Sequence, residues 1–129
     1  MFENIRVLIV EDDNVDAMVL QRLLKSLGVT AEVINEPDTL EAIRRQGRVD
    51  IVFLDLDMPD PNGYEVLEAL SHDPTFQDVP IVATSHLYSE ITTANRAGFH
   101  SFIGKPLSSL RLADQLERIL NGESVWEVR

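Results

Sequence analysis

The chain has 129 residues, 44% of them hydrophobic and 26% charged, the size and balance of one globular domain, which excludes a disordered, collagenous or membrane-spanning class. Eleven basic residues against 22 acidic ones leave a net charge of −11; that charge repels a phosphate backbone, so no direct nucleic-acid binding is expected. There is no cysteine, which removes disulfides, thiol catalysis and thiolate metal sites.

Along the chain, five short β-branched runs alternate with five helical patterns. The first run, Arg6–Val10, breaks at Glu11 without a cleavage-like small-residue site and is far too short to span a bilayer, so a cytoplasmic chain with no membrane partner is expected. Ala17, Leu20, Leu24 and Leu27 then step by three and four along one helix face, and Gly28 is a natural stop. Val29–Ile34 is the second run, and Glu36–Gln46 a shorter helix with Pro37 suited to its first turn. Asp50–Leu54 follows, then a helix over Tyr64–Leu70 after an Asn62–Gly63 turn, with Pro74 beyond its end. After Pro80–Ser85, the stretch Ser89–Ala97 predicts a lightly apolar helix stopped by Gly98, and a final run, Phe99–Gly104, precedes a clear helix carrying Leu112, Ala113, Leu116, Ile119 and Leu120. Asn121–Gly122 ends it.

No repeat or linker divides the chain, so residues 1–122 are expected to form one domain and 123–129 a short C-terminal tail. Within the tail, Trp126 is expected to fold back on the domain, because burying an aromatic ring is favourable without any function attached. Several of the runs are apolar throughout, as strands buried on both faces should be. Strand–helix alternation of this kind predicts the doubly wound α/β class, a five-stranded parallel sheet with five helices on both faces. Ligands in such folds sit beyond the carboxyl ends of the strands.

Those ends hold nearly all the chemistry. The first strand ends in Glu11-Asp12-Asp13, the third in Asp55-Leu56-Asp57, the fourth in Ser85-His86 and the fifth in Lys105-Pro106. Carboxylates crowded at one sheet edge repel by about 4 kcal/mol per pair at 4 Å and an effective dielectric near 20. A site of that kind calls for a divalent cation, and hard oxygen ligands with no His or Cys clustered beside them suit Mg²⁺. Lys105 brings a compact positive charge and Ser85 a hydroxyl donor; with a carboxylate nucleophile and Mg²⁺, the set fits phosphoryl transfer to an aspartate. Any one of these residues alone is ordinary solvated surface, and it is the agreement of four strand tips that carries the reading.

The stretches VLIVEDD at 7–13, FLDLDMPDPNG at 53–63, PIVATS at 80–85 and FIGKPL at 102–107 together resemble the response-regulator receiver family, the CheY-like domains, over about residues 4–121. The resemblance implies the flavodoxin-like strand order 2-1-3-4-5. It makes Asp55 the phosphoacceptor, Glu11 and Asp12 the acidic pair with Asp12 the more direct Mg²⁺ ligand, and Asp57 a ligand through its backbone carbonyl. It makes Ser85, five residues after Pro80, the switch hydroxyl in place of neighbouring Thr84, and Lys105 the phosphate-binding lysine, with a cis Lys105–Pro106 peptide. Phe102 stands at the family's switch aromatic, where an ordinary buried Phe is the competing reading.

The chain departs from the family pattern at several points. His86 replaces a small residue after the switch hydroxyl and either gates the phosphoryl site or points to solvent. The Asp57 side chain adds charge beside the acceptor, Asp60 is loop surface, and Asn62 replaces the usual Asp while keeping the turn chemistry. Only 12 residues separate Ser85 from Gly98, about two fewer than is usual, so a short or irregular fourth helix is expected.

The resulting expectation is a stand-alone single-domain response regulator of a two-component or phosphorelay system. It is a phosphoacceptor switch, not an enzyme, with self-dephosphorylation only. It would take a phosphoryl group from a sensor histidine kinase or histidine phosphotransfer protein and act on an unidentified downstream protein, as a monomer or phosphorylation-dependent dimer. Two alternatives stand beside it. A haloacid-dehalogenase-type phosphatase would use Asp55 as nucleophile and Asp57 as general acid, but it is opposed by Met58-Pro59 and by the acidic pair upstream. A pseudo-receiver that only binds partners would lack the acceptor, acid pair or lysine, and none is missing.

Overall fold

The computed structural model describes residues 2–36 and 38–128. In chain order the elements are β1 (Arg6–Val10), α1 (Asn14–Ser26), β2 (Thr30–Ile34), α2 (Thr39–Arg45), β3 (Ile51–Asp55) and α3 (Gly63–Ser71). A 3-10 turn at Pro74–Phe76 leads to β4 (Ile81–Ser85), α4 (Glu90–Ala97), β5 (Ser101–Gly104), α5 (Leu112–Leu120) and β6 (Trp126–Glu127). All neighbouring strands are parallel, in the order β2-β1-β3-β4-β5-β6. This is the doubly wound architecture expected from the alternation, extended by one strand. No helix among the described residues is long and apolar enough to cross a membrane.

The strands divide their side chains between two cores, as the period of two requires. Leu8, Val10, Val52, Leu54, Ala83 and Phe102 pack with α2, α3 and α4 on one face, through Ile43, Val66, Leu70 and Ala94 among others. Val7, Ile9, Ile51, Phe53, Val82 and Ile103 pack with α1 and α5 on the other, against Leu20, Leu24, Leu112, Leu116 and Ile119. With β3 and β4 buried at every position, the sheet is sealed along its sides and its chemistry is confined to the ends of the strands.

Local capping fixes where the helices begin. The Asp13 side chain accepts the backbone N–H groups of Val15 and Asp16 at 2.9 Å each, starting α1. Asn62 and Glu65 form a reciprocal capping box at the head of α3, so Asn62 performs the turn chemistry expected of it. Here a side chain on Gly63 would stand 2.8 Å from the Asp55 carbonyl oxygen; glycine is what lets α3 lie this close to the end of β3. The second helix is shorter than expected, Thr39–Arg45 instead of Glu36–Gln46, and Pro37 lies outside the described residues. The fourth is eight residues of regular helix, Glu90–Ala97, short as expected and not irregular.

The five expected strands are all present in the expected order, and a sixth adds to the sheet at the β5 edge. Within the C-terminal tail, Trp126 pairs with Phe102 and Glu127 with Ile103 as β6. Trp126 folds back as expected, half-buried against the α2–α4 core. Glu127 accepts hydrogen bonds from Arg111 at 2.6 Å, Gln115 at 2.9 Å and Arg118 at 2.8 Å, all from α5 or the residue before it. Covering the edge of β5 satisfies backbone groups that would otherwise be left to pair with another chain. The fit is tight at Gly104, where a Cβ would come within 2.5 Å of the Val128 carbonyl oxygen and 2.6 Å of the Tyr88 ring.

Two outcomes follow for β6. Gly104→Ala is expected to displace β6 and lower stability by about 1–3 kcal/mol, measured by urea unfolding. Burial opposes ionisation of Glu127, but its hydrogen bonds from Gln115 and Arg118 outweigh that and hold the carboxyl below its ordinary 4.5. Its contribution is therefore complete above pH 4.5 and lost as pH falls through the lower folded value; Glu127→Gln is expected to be less stable than wild type at pH 7, with the gap closing on acidification.

Candidate functional site

Parallel strands in one register bring their carboxyl ends to a single edge. Asp55 ends β3 opposite Thr84, and Ser85 ends β4 opposite Gly104, one residue before Lys105. Glu11 and Asp12 leave the end of β1, and Asp13 caps α1. Of the site residues expected from sequence, Glu11, Asp12, Asp55, Asp57, Ser85 and Lys105 thus meet, as the alternation implied, and Lys105–Pro106 is cis, as the resemblance implied. A second cis peptide, Asp60–Pro61, lies in the loop between β3 and α3.

Lys105 is the hub. Its ammonium, only 5% exposed, stands 2.6 Å from Glu11, 2.9 Å from Asp55 Oδ1, 3.2 Å from Asp16 and 3.9 Å from Asp57. One cation cannot neutralise four carboxylates, and the surplus negative charge falls on buried groups. Burial, reinforced by the Asp55 hydrogen bond, pushes Glu11 up to about 8, and its contact with Lys105 offsets this only in part. Burial works against the lysine's charge, but Glu11 and Asp55 outweigh it and hold Lys105 above its ordinary value.

Asp55 is 1% exposed. Its Oδ1 accepts Lys105 Nζ and the Asp57 backbone N–H, each at 2.9 Å, while Oδ2 is buried with no hydrogen-bond partner. Glu11, Asp12 and Asp55 each offer a carboxylate oxygen, all within 4.8 Å of one another. An unpartnered buried anion beside two further acids is the donor set a hard divalent cation takes, so these residues fit one.

The remaining expected residues fall into distinct places. Ser85, fully buried, donates its hydroxyl to Asp57 Oδ1 at 2.9 Å and accepts the Leu87 N–H at 2.9 Å. Thr84, although buried beside it, is not the residue that reaches Asp57. His86 is exposed over half its side chain, and its Nε2 meets Asp16 Oδ2 at 3.1 Å. Phe102 is fully buried in the α2–α4 core and paired with Trp126, the ordinary-core arrangement. Asp60 is exposed loop surface.

Two residues of this edge escaped sequence reasoning. Asp16 joins α1 to Lys105 and His86; burial disfavours its charge, yet His86 and Lys105 outweigh that and hold its carboxyl below the ordinary value. Its signal was its place in the first turn of α1, three residues after the capping Asp13. Tyr88 donates its hydroxyl to the Lys105 carbonyl at 2.8 Å, and nothing local to it in the sequence announces that contact.

The family model described as "Response regulator receiver domain" matches residues 7–117. Protein RcaC of Microchaete diplosiphon is 30% identical over 94% of this chain, which spans 19% of that protein's length. A chemotaxis protein CheY homolog of Campylobacter jejuni is 28% identical, with 95% of this chain and 99% of the relative covered. The solved CheY-like receiver domain from Methylobacillus flagellatus superposes with a TM-score of 0.77 at 29% identity, covering 89% of this chain and 98% of that one.

The charge imbalance has a measurable consequence. Because folding raises the Glu11 carboxyl from 4.5 to about 8, stability contributed at this position is complete below pH 4.5 and lost as pH rises toward and through 8. In EDTA, Glu11→Gln is expected to flatten that decline and to be more stable than wild type at pH 8.5, measured by thermal unfolding.

Proposed function

The chain belongs to the response regulator receiver domain family, and on that premise we propose that it accepts a phosphoryl group on Asp55 from the phosphohistidine of a sensor kinase or phosphotransfer protein. The observation that carries the proposal is the Asp55 carboxylate: one oxygen is held by Lys105 and the Asp57 N–H, and the other is buried and unpartnered beside Glu11 and Asp12. A carboxylate so held presents a fixed nucleophile. Its oxygen attacks phosphorus, a P–O bond forms, the P–N bond to the donor imidazole breaks, and the electron pair left on that nitrogen takes up a proton.

Glu11, Asp12, Asp55 and the Asp57 carbonyl would hold Mg²⁺, which when bound supplies positive charge against the acids and the incoming phosphoryl oxygens. Lys105 neutralises charge on the same group, and Ser85 supplies a hydroxyl donor once freed from Asp57. Water attacking the acyl phosphate would return Asp55 and release phosphate, which makes the domain a self-resetting switch and not a metabolic enzyme. A protein donor is supported by exposed apolar residues on elements that begin at this edge: Val15, Met18 and Val19 on α1, Leu87 after β4, and Leu110 before α5. The net charge of −11 favours a protein target over nucleic acid, and a cytoplasmic location accords with a phosphohistidine donor.

Incubation with Mg²⁺ and a small phosphodonor such as acetyl phosphate is expected to give a base-labile phosphoprotein, detected by intact-mass spectrometry. Asp55→Asn is expected to abolish it, and removing Mg²⁺ with EDTA to reduce it by roughly a hundredfold or more, the scale on which loss of strong electrostatic stabilisation acts. Labelling that survives Asp55→Asn would overturn the assignment.

A further inference from the structure

The side chain of Asp57 is engaged in a way that a role through its backbone does not require. Oδ1 accepts the Ser85 hydroxyl at 2.9 Å, Oδ2 accepts the His86 backbone N–H at 3.2 Å, and the Lys105 ammonium stands 3.9 Å from Oδ2. A hydroxyl, a backbone amide and an ammonium converging from β4 and β5 beside Asp55 form a donor set suited to a small oxyanion. In the unphosphorylated chain an oxyanion already occupies it, and that oxyanion is the Asp57 carboxylate.

The donors cannot serve two acceptors at once. Ser85 has a single hydroxyl proton, and one of its lone pairs already accepts the Leu87 N–H at 2.9 Å. The His86 amide likewise has one hydrogen, and the His86 ring is fastened to Asp16 at 3.1 Å, so residues 85–87 are held from the β3–α3 loop and from α1 together. Asp57 also has somewhere to go: its side chain is 30% exposed, so it can swing to solvent and be hydrated when its partners leave.

We propose that Asp57 is an internal surrogate for the phosphoryl group, a positioning residue that holds Ser85 and the His86 amide until a phosphoryl group on Asp55 displaces it. The inference rests on the Asp55 reading above. The exchange is of hydrogen bonds only: Ser85 O–H and His86 N–H leave the Asp57 oxygens and turn to the new oxyanion. Asp57 therefore sets a threshold, stabilising the resting arrangement of the switch segment and weakening the hold on whatever binds Asp55.

The test compares Asp57→Ala, Ser85→Ala and the double variant for binding of beryllofluoride, with Mg²⁺, as a phosphoryl-like adduct. Asp57→Ala is expected to bind it about fivefold to tenfold more tightly than wild type, the scale of one or two displaced hydrogen bonds. In the Ser85→Ala background the gain is expected to shrink to about twofold or less, because the competition needs the hydroxyl. Asp57→Asn, which keeps the shape and one acceptor oxygen, is expected to fall between. In the metal-free, adduct-free protein, the His86 amide resonance is expected to shift upfield in Asp57→Ala as its hydrogen bond is lost. An equal gain with and without Ser85, which is charge relief alone, overturns the proposal, as does an unmoved His86 amide. Should wild type bind no beryllofluoride, the Asp55 reading fails instead, and the amide comparison, needing neither metal nor adduct, still decides whether Asp57 holds the segment.

Discussion

One buried ammonium, on Lys105, stands among carboxylates from the residue after β1, from α1, from β3 and from the loop after β3, and the arrangement of the whole edge depends on it. Without that cation, Glu11 and Asp55 would be two buried anions side by side, a state that proteins avoid by neutralising or separating them. With it, the edge remains overcharged, though tolerably so: Glu11 binds its proton more tightly and Asp55 keeps one oxygen unpartnered. The imbalance is what makes the site receptive. A cation bound there would lower its energy by neutralising charge, and the proposed phosphoryl group would enter where positive charge and hydrogen-bond donors are already assembled.

The parallel sheet is the device that permits this crowding. Two independent hydrophobic cores on its faces, each closed by its own set of helices, supply the stability that offsets an unfavourable edge. Because the strands run in one direction, their ends gather without long loops. Register then does the fine placement: Asp55 opposite Thr84, and Ser85 opposite Gly104. The capping box at Asn62 and the close approach at Gly63 fix the chain leaving Asp55, so that carboxylate sits on a rigid strand end bounded by a rigid helix start.

Much of this was legible in the sequence because it obeys strong local rules. Apolar runs such as Ile51–Leu54 can belong only to buried elements, and the acids and lysine that end them announce one edge once the strands are taken as parallel. What escaped notice lacked a local signature. Two residues of strand at Trp126–Glu127 are too few for any period to show, and β6 is held instead by Arg111, Gln115 and Arg118, a contact made only after folding. Asp16 reads as a first-turn acid suited to the helix dipole, which hides its reach to Lys105. The side chain of Asp57 could be placed near Asp55, but its grip on Ser85 and His86 depends on how two loops meet in space.

The sixth strand has a further effect on what the sheet can do with other chains. Because β6 runs parallel to β5, the chain must cross back over α5 to reach it, so that helix becomes the bridge of a closed strand–helix–strand unit. A neighbouring polypeptide therefore cannot extend the sheet by pairing with β5. Among the described residues the sheet borders are β2 and a two-residue β6, the latter too short to template a ladder. Contacts on that side of the molecule are left to side chains, whose matching can be varied one residue at a time, instead of to backbone, which pairs with almost any strand.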